Sequence, residues 1–215
     1  MSRVRVNCFS MSFDGFAAGP DQTLDAPFGG RAGRDVAGWF TATRTFRTMI
    51  GADGGTEGPD DELAEHAMDD LGAWILGRNM FGPIRGPWPD DSWRGWWGDD
   101  PPYHCPVFVL THHARAPITM EGGTVFHFVT GGIHEALARA KEAAGARDVR
   151  IGGGAATIRQ YLEAKLIDTM HLAISPVVMG AGEPLLAGLD LHALGYGVTS
   201  HTTTPAAMHV MLARQ

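Results

Sequence analysis

The sequence predicts an α/β fold: a central, mostly parallel, twisted sheet of about eight strands with flanking helices and a C-terminal antiparallel hairpin. Three observations carry that expectation. Residues 124–175 alternate strand-like and helix-like segments in the order β-α-β-α-β, which requires crossover connections and therefore parallel pairing in a sheet covered on both faces. Ala73-Trp74-Ile75-Leu76 is a short continuous apolar run closed by Gly77-Arg78-Asn79, as a buried central strand would be. At the other end of the chain, residues 198–204 and 207–212 form a strand pair turning at Pro205.

The elements follow in order. In residues 4–10, Val4, Val6 and Cys8 fall on one side of a strand and Arg5, Asn7 and Phe9 on the other; Phe13-Asp14-Gly15 makes its exit turn. Over 35–50 the apolar residues Val36, Trp39, Phe40, Phe46, Met49 and Ile50 recur at helical separations, and Gly51 stands where a C-cap belongs. After a glycine-rich link at 51–58, residues 60–71 predict a second helix: acidic groups fill its first turn, favourable to the helix dipole, and Leu63, Ala67 and Leu71 make one stripe. The strand at 73–76 follows.

Residues 82–106 change character. Pro83, Pro87, Pro89, Pro101, Pro102 and Pro106 interrupt regular structure, and Trp88, Trp93, Trp96 and Trp97 make up four of the six tryptophans. A connection of that length predicts a lid, a binding loop or an interface arm, the plain alternative being that its indoles pack onto the domain's own core. Strands resume at 107–111 and 124–129. A helix at 132–144 carries Ile133, Leu137, Ala140 and Ala144 on one face and stops at Gly145; a strand at 149–151, a helix at 155–166 and a strand at 169–175 complete the alternation.

Bulk properties bound the function. The 215 residues suffice for a single domain over 1–215 with one sizeable core, needing neither disulfide nor structural metal. With 44% apolar and 19% charged residues, no apolar run nears the roughly 20 residues of a membrane span. The start of the chain lacks a secretory pattern, so a cytoplasmic location is expected. Cys8 and Cys105 are too few for a disulfide framework and read as small buried hydrophobes. A net charge of −7 argues against nonspecific nucleic-acid binding, so any anion must be held by a local site.

The sharpest candidate for such a site is Ile151-Gly152-Gly153-Gly154-Ala155-Ala156-Thr157, three glycines between a strand end and a helix start. Glycines there let backbone approach a ligand, and the free N–H groups of a helix N-terminus attract phosphate. The run is not the Rossmann fingerprint, because Thr157 stands where the third glycine belongs. Two further strand ends carry basic groups: Gly77-Arg78-Asn79, and Thr111-His112-His113-Ala114-Arg115. Ligands of open parallel sheets bind at the carboxyl ends of the strands, so these residues together predict a dinucleotide cradle, and an arginine near the ribose favours a 2′-phosphate.

The order of elements, together with Ser12-Phe13-Asp14-Gly15-Phe16-Ala17-Ala18-Gly19, Ile75-Leu76-Gly77-Arg78-Asn79-Met80-Phe81, and residues 149–157 followed by Leu166-Ile167-Asp168-Thr169-Met170-His171-Leu172, resembles the dihydrofolate reductase-like superfamily. Within it, the run Ser175-Pro176-Val177-Val178-Met179-Gly180-Ala181-Gly182 is similar to the ending of the riboflavin-biosynthesis reductase branch. The resemblance implies a soluble, often dimeric, NADPH-dependent reductase acting on a pterin- or aminopyrimidine-like small molecule. It places Ala18 and Gly19 by the nicotinamide, Gly77, Arg78 and Asn79 at the pyrophosphate, Thr111 and His112 toward the adenosine phosphate, and Gly153, Gly154, Ala155 and Thr157 over the diphosphate. Asp14 becomes the candidate catalytic acid, with a turn-forming role as the alternative. In folate reductases an acidic residue on the first helix holds the pterin; here that helix offers only Asp35, near its start, where capping is expected. This departure counts against folate as substrate.

Two other readings compete. A noncatalytic nucleotide-binding protein would keep the cradle without the reductase pocket. A metal site built from His104, Cys105, His112, His113 and His171 has little support, because these residues lie on separate elements without compact ligand spacing, and no metal is expected.

Overall fold

The computed structural model describes residues 2–83 and 85–215; Ile84, inside the predicted 82–106 loop, lies outside the described residues. A nine-stranded sheet runs through the molecule in the spatial order β10-β11-β8-β1-β7-β3-β4-β6-β5. Its strands are β1 (Val4–Ser12), β3 (Leu71–Gly77), β4 (Pro106–Leu110), β5 (Ile118–Thr119), β6 (Val125–Val129), β7 (Asp148–Gly153), β8 (Thr169–Ser175), β10 (Tyr196–Thr203) and β11 (Met208–Arg214). From β8 to β6 every pairing is parallel, while β11, β10 and β5 add antiparallel edges. A separate two-stranded ribbon joins β2 (Phe16–Ala18) to β9 (Glu183–Pro184). The edge strand β5 and this ribbon exceed the sequence expectation, because two or three residues are too few to display a period.

One face of the sheet buries Val4, Val6, Ala73, Ile75, Val149, Ile151, Met170 and Leu172 under α6 (Gly132–Ala144) and α7 (Ala155–Glu163). Alternation along parallel strands puts these apolar residues on a single side, where removing their surface from water stabilises the fold. The opposite face is covered by α1 (Gly30–Val36), α2 (Gly38–Thr41), α3 (Arg44–Met49) and α4 (Pro59–His66), and by the proline-rich arm. Residues 35–50, expected as one helix, form three short ones: the chain breaks at Ala37, then at Thr43, whose extended backbone and hydroxyl cap α3 by accepting from the Phe46 N–H. The second predicted helix stops at His66, and Leu71, counted in its stripe, opens β3 instead.

The row Val4, Val6, Cys8 is also interrupted. Cys8 has φ of 52° and the β1–β8 register shifts between Val6 and Phe9, so Cys8 leaves the row and joins Trp39, Ala173 and Ala207 across the sheet. Beside it, Arg150 is buried, donating to the carbonyls of Ala67 and Asn7 and lying over Trp74 at 4.2 Å. Burial holds its pKa down at about 10, and it fastens the turn after α4 to β1 and β7.

Between Gly82 and Cys105 the described residues form no helix or strand. The arm is nevertheless fixed. The Trp88 indole N–H donates to the His113 carbonyl at 2.9 Å and that of Trp93 to the Phe81 carbonyl at 2.9 Å, and both rings pack on a second core with Phe81, Phe126 and Phe128. Trp97 stays 40% exposed. Among the described residues no helix is long and apolar enough to cross a membrane.

Candidate active site and coenzyme cleft

Because β1, β7, β3, β4 and β6 are parallel, their carboxyl ends collect along one rim. A cleft of about 310 Å³ opens there, between the exits of β3, β4 and β6 and the first turns of α6 and α7. It is lined by Gly77, Arg78, Asn79, Thr111, His112 and Thr157, all anticipated from the sequence, and by Arg85, Gly86, His113, Thr130 and Gln160. The glycine-rich turn adjoins it. Gly154 is the N-cap of α7, with nothing within 4 Å of the position a Cβ would take, so its backbone faces open space, while Ala155 is buried behind it. Gly77 closes the join: a Cβ there would stand 2.3 Å from Thr157 Oγ1 and 3.5 Å from Gly154 N.

Arg78 enters this cleft from α5 (Arg78–Phe81), the single turn that follows β3. Its guanidinium lies 3.3 Å from the Trp88 ring centre, donates to Thr111 Oγ1 at 3.0 Å and to the Gly86 carbonyl at 3.1 Å, and keeps a buried Nε–H without a partner. Arg115, its side chain 3% exposed, approaches the same indole at 4.8 Å, pairs with the exposed Asp91 at 3.2 Å and has a buried Nη1 without a partner. Burial, and then the charges of Arg115 and Arg85, pull the Arg78 pKa below its ordinary value. Cations crowded together in a chain of net charge −7, with guanidinium N–H groups left over, make an environment that an anion relieves.

The other sequence candidates sit elsewhere. Asp14, in the turn after β1, accepts hydrogen bonds from Ser12 Oγ at 2.6 Å and from the backbone N–H groups of Met179 and Gly180 at 3.1 and 2.7 Å. Those donors, Ser12 foremost, hold its carboxyl down at about 2. Ala18 pairs with Glu183 in the ribbon, and Gly19 packs so tightly on Gly29 that a Cβ would meet the Gly29 carbonyl oxygen at 2.3 Å. The 310 Å³ cleft does not extend to any of these three.

A second polar cluster lies on the α2–α4 side of the sheet. The Cys8 N–H donates to His171 Nδ1 at 3.3 Å, His171 Nε2 meets His209 Nδ1 at 2.9 Å, and His209 Nε2 meets the Asp60 carboxylate at 2.7 Å. The chain has one consistent assignment: both imidazoles neutral, each donating from Nε2 toward Asp60. Trp39 packs edge-on against both rings and donates its indole N–H to Ser10 Oγ. His171 therefore serves this network. Of the other residues weighed as ligands, His112 and His113 border the cleft, His104 meets the Gly122 carbonyl and Cys105 is buried. No group of three or more His, Cys, Asp or Glu positioned to hold a metal ion occurs among the described residues.

Arg85, Trp88 and Gln160 escaped sequence reasoning as site residues. Arg85 lies in an irregular, proline-broken stretch where no period predicts which way a side chain faces, whereas Gln160, one turn beyond Thr157 on α7, shares the face of a residue already singled out.

A mostly parallel sheet in this order, covered by helices on both faces and closed by antiparallel edge strands, defines an α/β class of fold that the solved structures below share. Within that class, the RibD C-terminal domain family matches residues 4–210, and the chain belongs to it. Solved structures share the fold at low identity. A candidate riboflavin biosynthesis protein from Shewanella sp. PV-4 is 20% identical with a TM-score of 0.58, over 100% of this chain and 99% of that one. A pyrimidine reductase-like protein from Corynebacterium diphtheriae is 13% identical with a TM-score of 0.50, over 99% and 91%. The diaminohydroxyphosphoribosylaminopyrimidine deaminase/5-amino-6-(5-phosphoribosylamino)uracil reductase of Thermotoga maritima is 12% identical with a TM-score of 0.52; this chain is covered in full and spans 57% of that one. No curated protein sequence matches.

Proposed function

We propose that this protein is an NADPH-dependent reductase that directs a hydride to a C=N or C=O bond of a small heterocycle of pterin or aminopyrimidine type. The observation that carries the reading is the cationic cleft at the strand ends, where Arg78 and Arg85 converge beside the open N-terminus of α7. Membership of the RibD C-terminal domain family supports the reaction class. The residues suit a phosphorylated dinucleotide: Arg78 and Arg85 line the cleft without a carboxylate partner among the described residues, and Gly154 leaves its backbone facing open space where a side chain would crowd a ligand.

In this reading the backbone of Gly77, Asn79, Gly153, Gly154 and Ala155, with the side chain of Thr157, surrounds the diphosphate, and α7 contributes the partial positive charge of its N-terminus. Arg78, expected at the pyrophosphate, also reaches Thr111, which with His112 borders the adenosine end. Ala18 and Gly19, held by the ribbon, flank the nicotinamide, which supplies the hydride. Asp14 is ionised at neutral pH and has no proton to give, so we assign it the bracing of the 176–182 turn against β1 and assign the proton to water. The protein's part is orientation and exclusion of bulk solvent.

Titration with NADPH and NADH, followed by tryptophan quenching and energy transfer to the nicotinamide, tests the coenzyme. A preference of about a hundredfold for NADPH, worth about 2.7 kcal/mol, is expected. Arg78→Ala should weaken both dinucleotides; binding unchanged by that substitution would remove the cleft from the proposal. Consumption of NADPH in a screen of pterins and aminopyrimidines then separates a reductase from a protein that only binds the nucleotide.

A further inference from the structure

We infer that Arg85, carried on the proline- and tryptophan-rich arm, is the residue by which the cleft distinguishes a dinucleotide bearing a 2′-phosphate from one with a free ribose hydroxyl; this rests on the coenzyme reading above. The candidates at the adenosine end differ in what their donors are doing. Thr111 Oγ1 accepts from Arg78 and from the His113 N–H, and its own proton faces the His113 carbonyl at 3.4 Å. That hydroxyl is committed to holding Arg78 in place and has no donor left for a phosphate. Arg78 is in turn locked between Trp88, Thr111 and the Gly86 carbonyl, a fixed cation that any phosphate in the cleft shares.

Arg85 is the less constrained partner. It is exposed, lines the cleft and donates to the Asn79 side-chain oxygen, while most of its N–H groups remain free. Neither it nor Arg78 pairs with a carboxylate among the described residues, in contrast to Arg115, which has Asp91. Two guanidiniums facing one cleft without a counterion repel each other, and a phosphomonoester dianion between them satisfies both with charge-assisted hydrogen bonds. The arm that presents Arg85 is pinned on either side of it, by the Gly82 N–H on the Arg78 carbonyl and by the Trp88 indole on His113, which keeps the guanidinium within reach of the cleft.

Calorimetry on the full chain with adenosine 2′,5′-bisphosphate, 5′-AMP, NADPH and NADH tests this without reference to turnover. Arg85→Gln should weaken the bisphosphate and NADPH by about tenfold or more, leave 5′-AMP and NADH within about twofold, and be partly rescued by Arg85→Lys. Equal losses for phosphorylated and unphosphorylated ligands, or no loss at all, overturn the assignment of Arg85. A wild-type protein that binds both dinucleotides equally also overturns it while leaving dinucleotide binding intact. Wild-type protein that binds neither dinucleotide removes the coenzyme reading itself.

Discussion

A methyl group on Gly77 would sit 2.3 Å from Thr157 Oγ1, closer than any real contact allows, so β3 and α7 meet here only because residue 77 has no side chain. Gly77→Ala should cost about 1–3 kcal/mol by overpacking, read as a lower urea midpoint, and Thr157→Ala in the same chain should restore most of it. A double variant no more stable than the single one would show that the crowding lies elsewhere. At this scale the site was partly legible. Glycines between a strand and a helix, and arginine at a strand exit, announce themselves, because those residue types let backbone N–H groups and a cation meet an anion there. The sequence leaves Asp14 between turn former and acid, and the three donors converging on its carboxylate are what our assignment of it to the turn rests on. Arg85 and Trp88 stayed hidden, because their positions follow from how the arm closes in space.

Among the elements, the hydrogen-bonded line from Cys8 through His171 and His209 to Asp60 ties β1, β8 and β11 to the first turn of α4. It functions only with the His171 ring neutral, since an added proton there sets donor against donor. Burial foremost, then His209 and the Arg150 charge, hold the His171 pKa at about 3, against an ordinary 6.5. Around it stand Arg150 from β7, His209 from β11, Cys8 from β1 and, beyond His209, Asp60 from α4. The sign follows from proton uptake: between pH 6.5 and 3 the unfolded chain binds a proton that the folded protein refuses, so stability is full above that window and falls through it as acid is added. Urea midpoints measured from pH 7.5 to 4.5 should drop accordingly, and His171→Gln should flatten the slope; a wild-type profile as flat as the variant's would refute this. None of it was readable from spacing, which sees residues 60, 171 and 209 as unrelated. Spacing succeeded where an element is long and periodic, as in α6 and β8, and failed over 35–50, where Thr43 caps a new helix in the middle of a helical pattern.

For the molecule as a whole, the arm divides its indoles. Trp88 and Trp93 face the protein's own core, Trp96 rests edge-on against Trp93, and Trp97 stands 40% exposed. Any role between copies of the chain therefore belongs to the outer pair. We expect a homodimer, and light scattering on a variant with Trp96→Ala and Trp97→Ala should register a lower mass than the parent; an unchanged mass would confine the outer indoles to the arm. The architecture was the most legible level, since alternation over 124–175 and the hairpin at the end fix the sheet's connectivity.

Strands β3 and β4 pair residue for residue, from Trp74 with Val107 to Gly77 with Leu110, although 28 residues of chain separate the end of β3 from the start of β4. The whole excursion leaves and re-enters between neighbours that are already zipped together. Beyond the indoles that pack on the core, such a crossover can change in length and composition while the sheet beneath stays put. Drift in ligand preference among related chains should therefore accumulate first in that one detour.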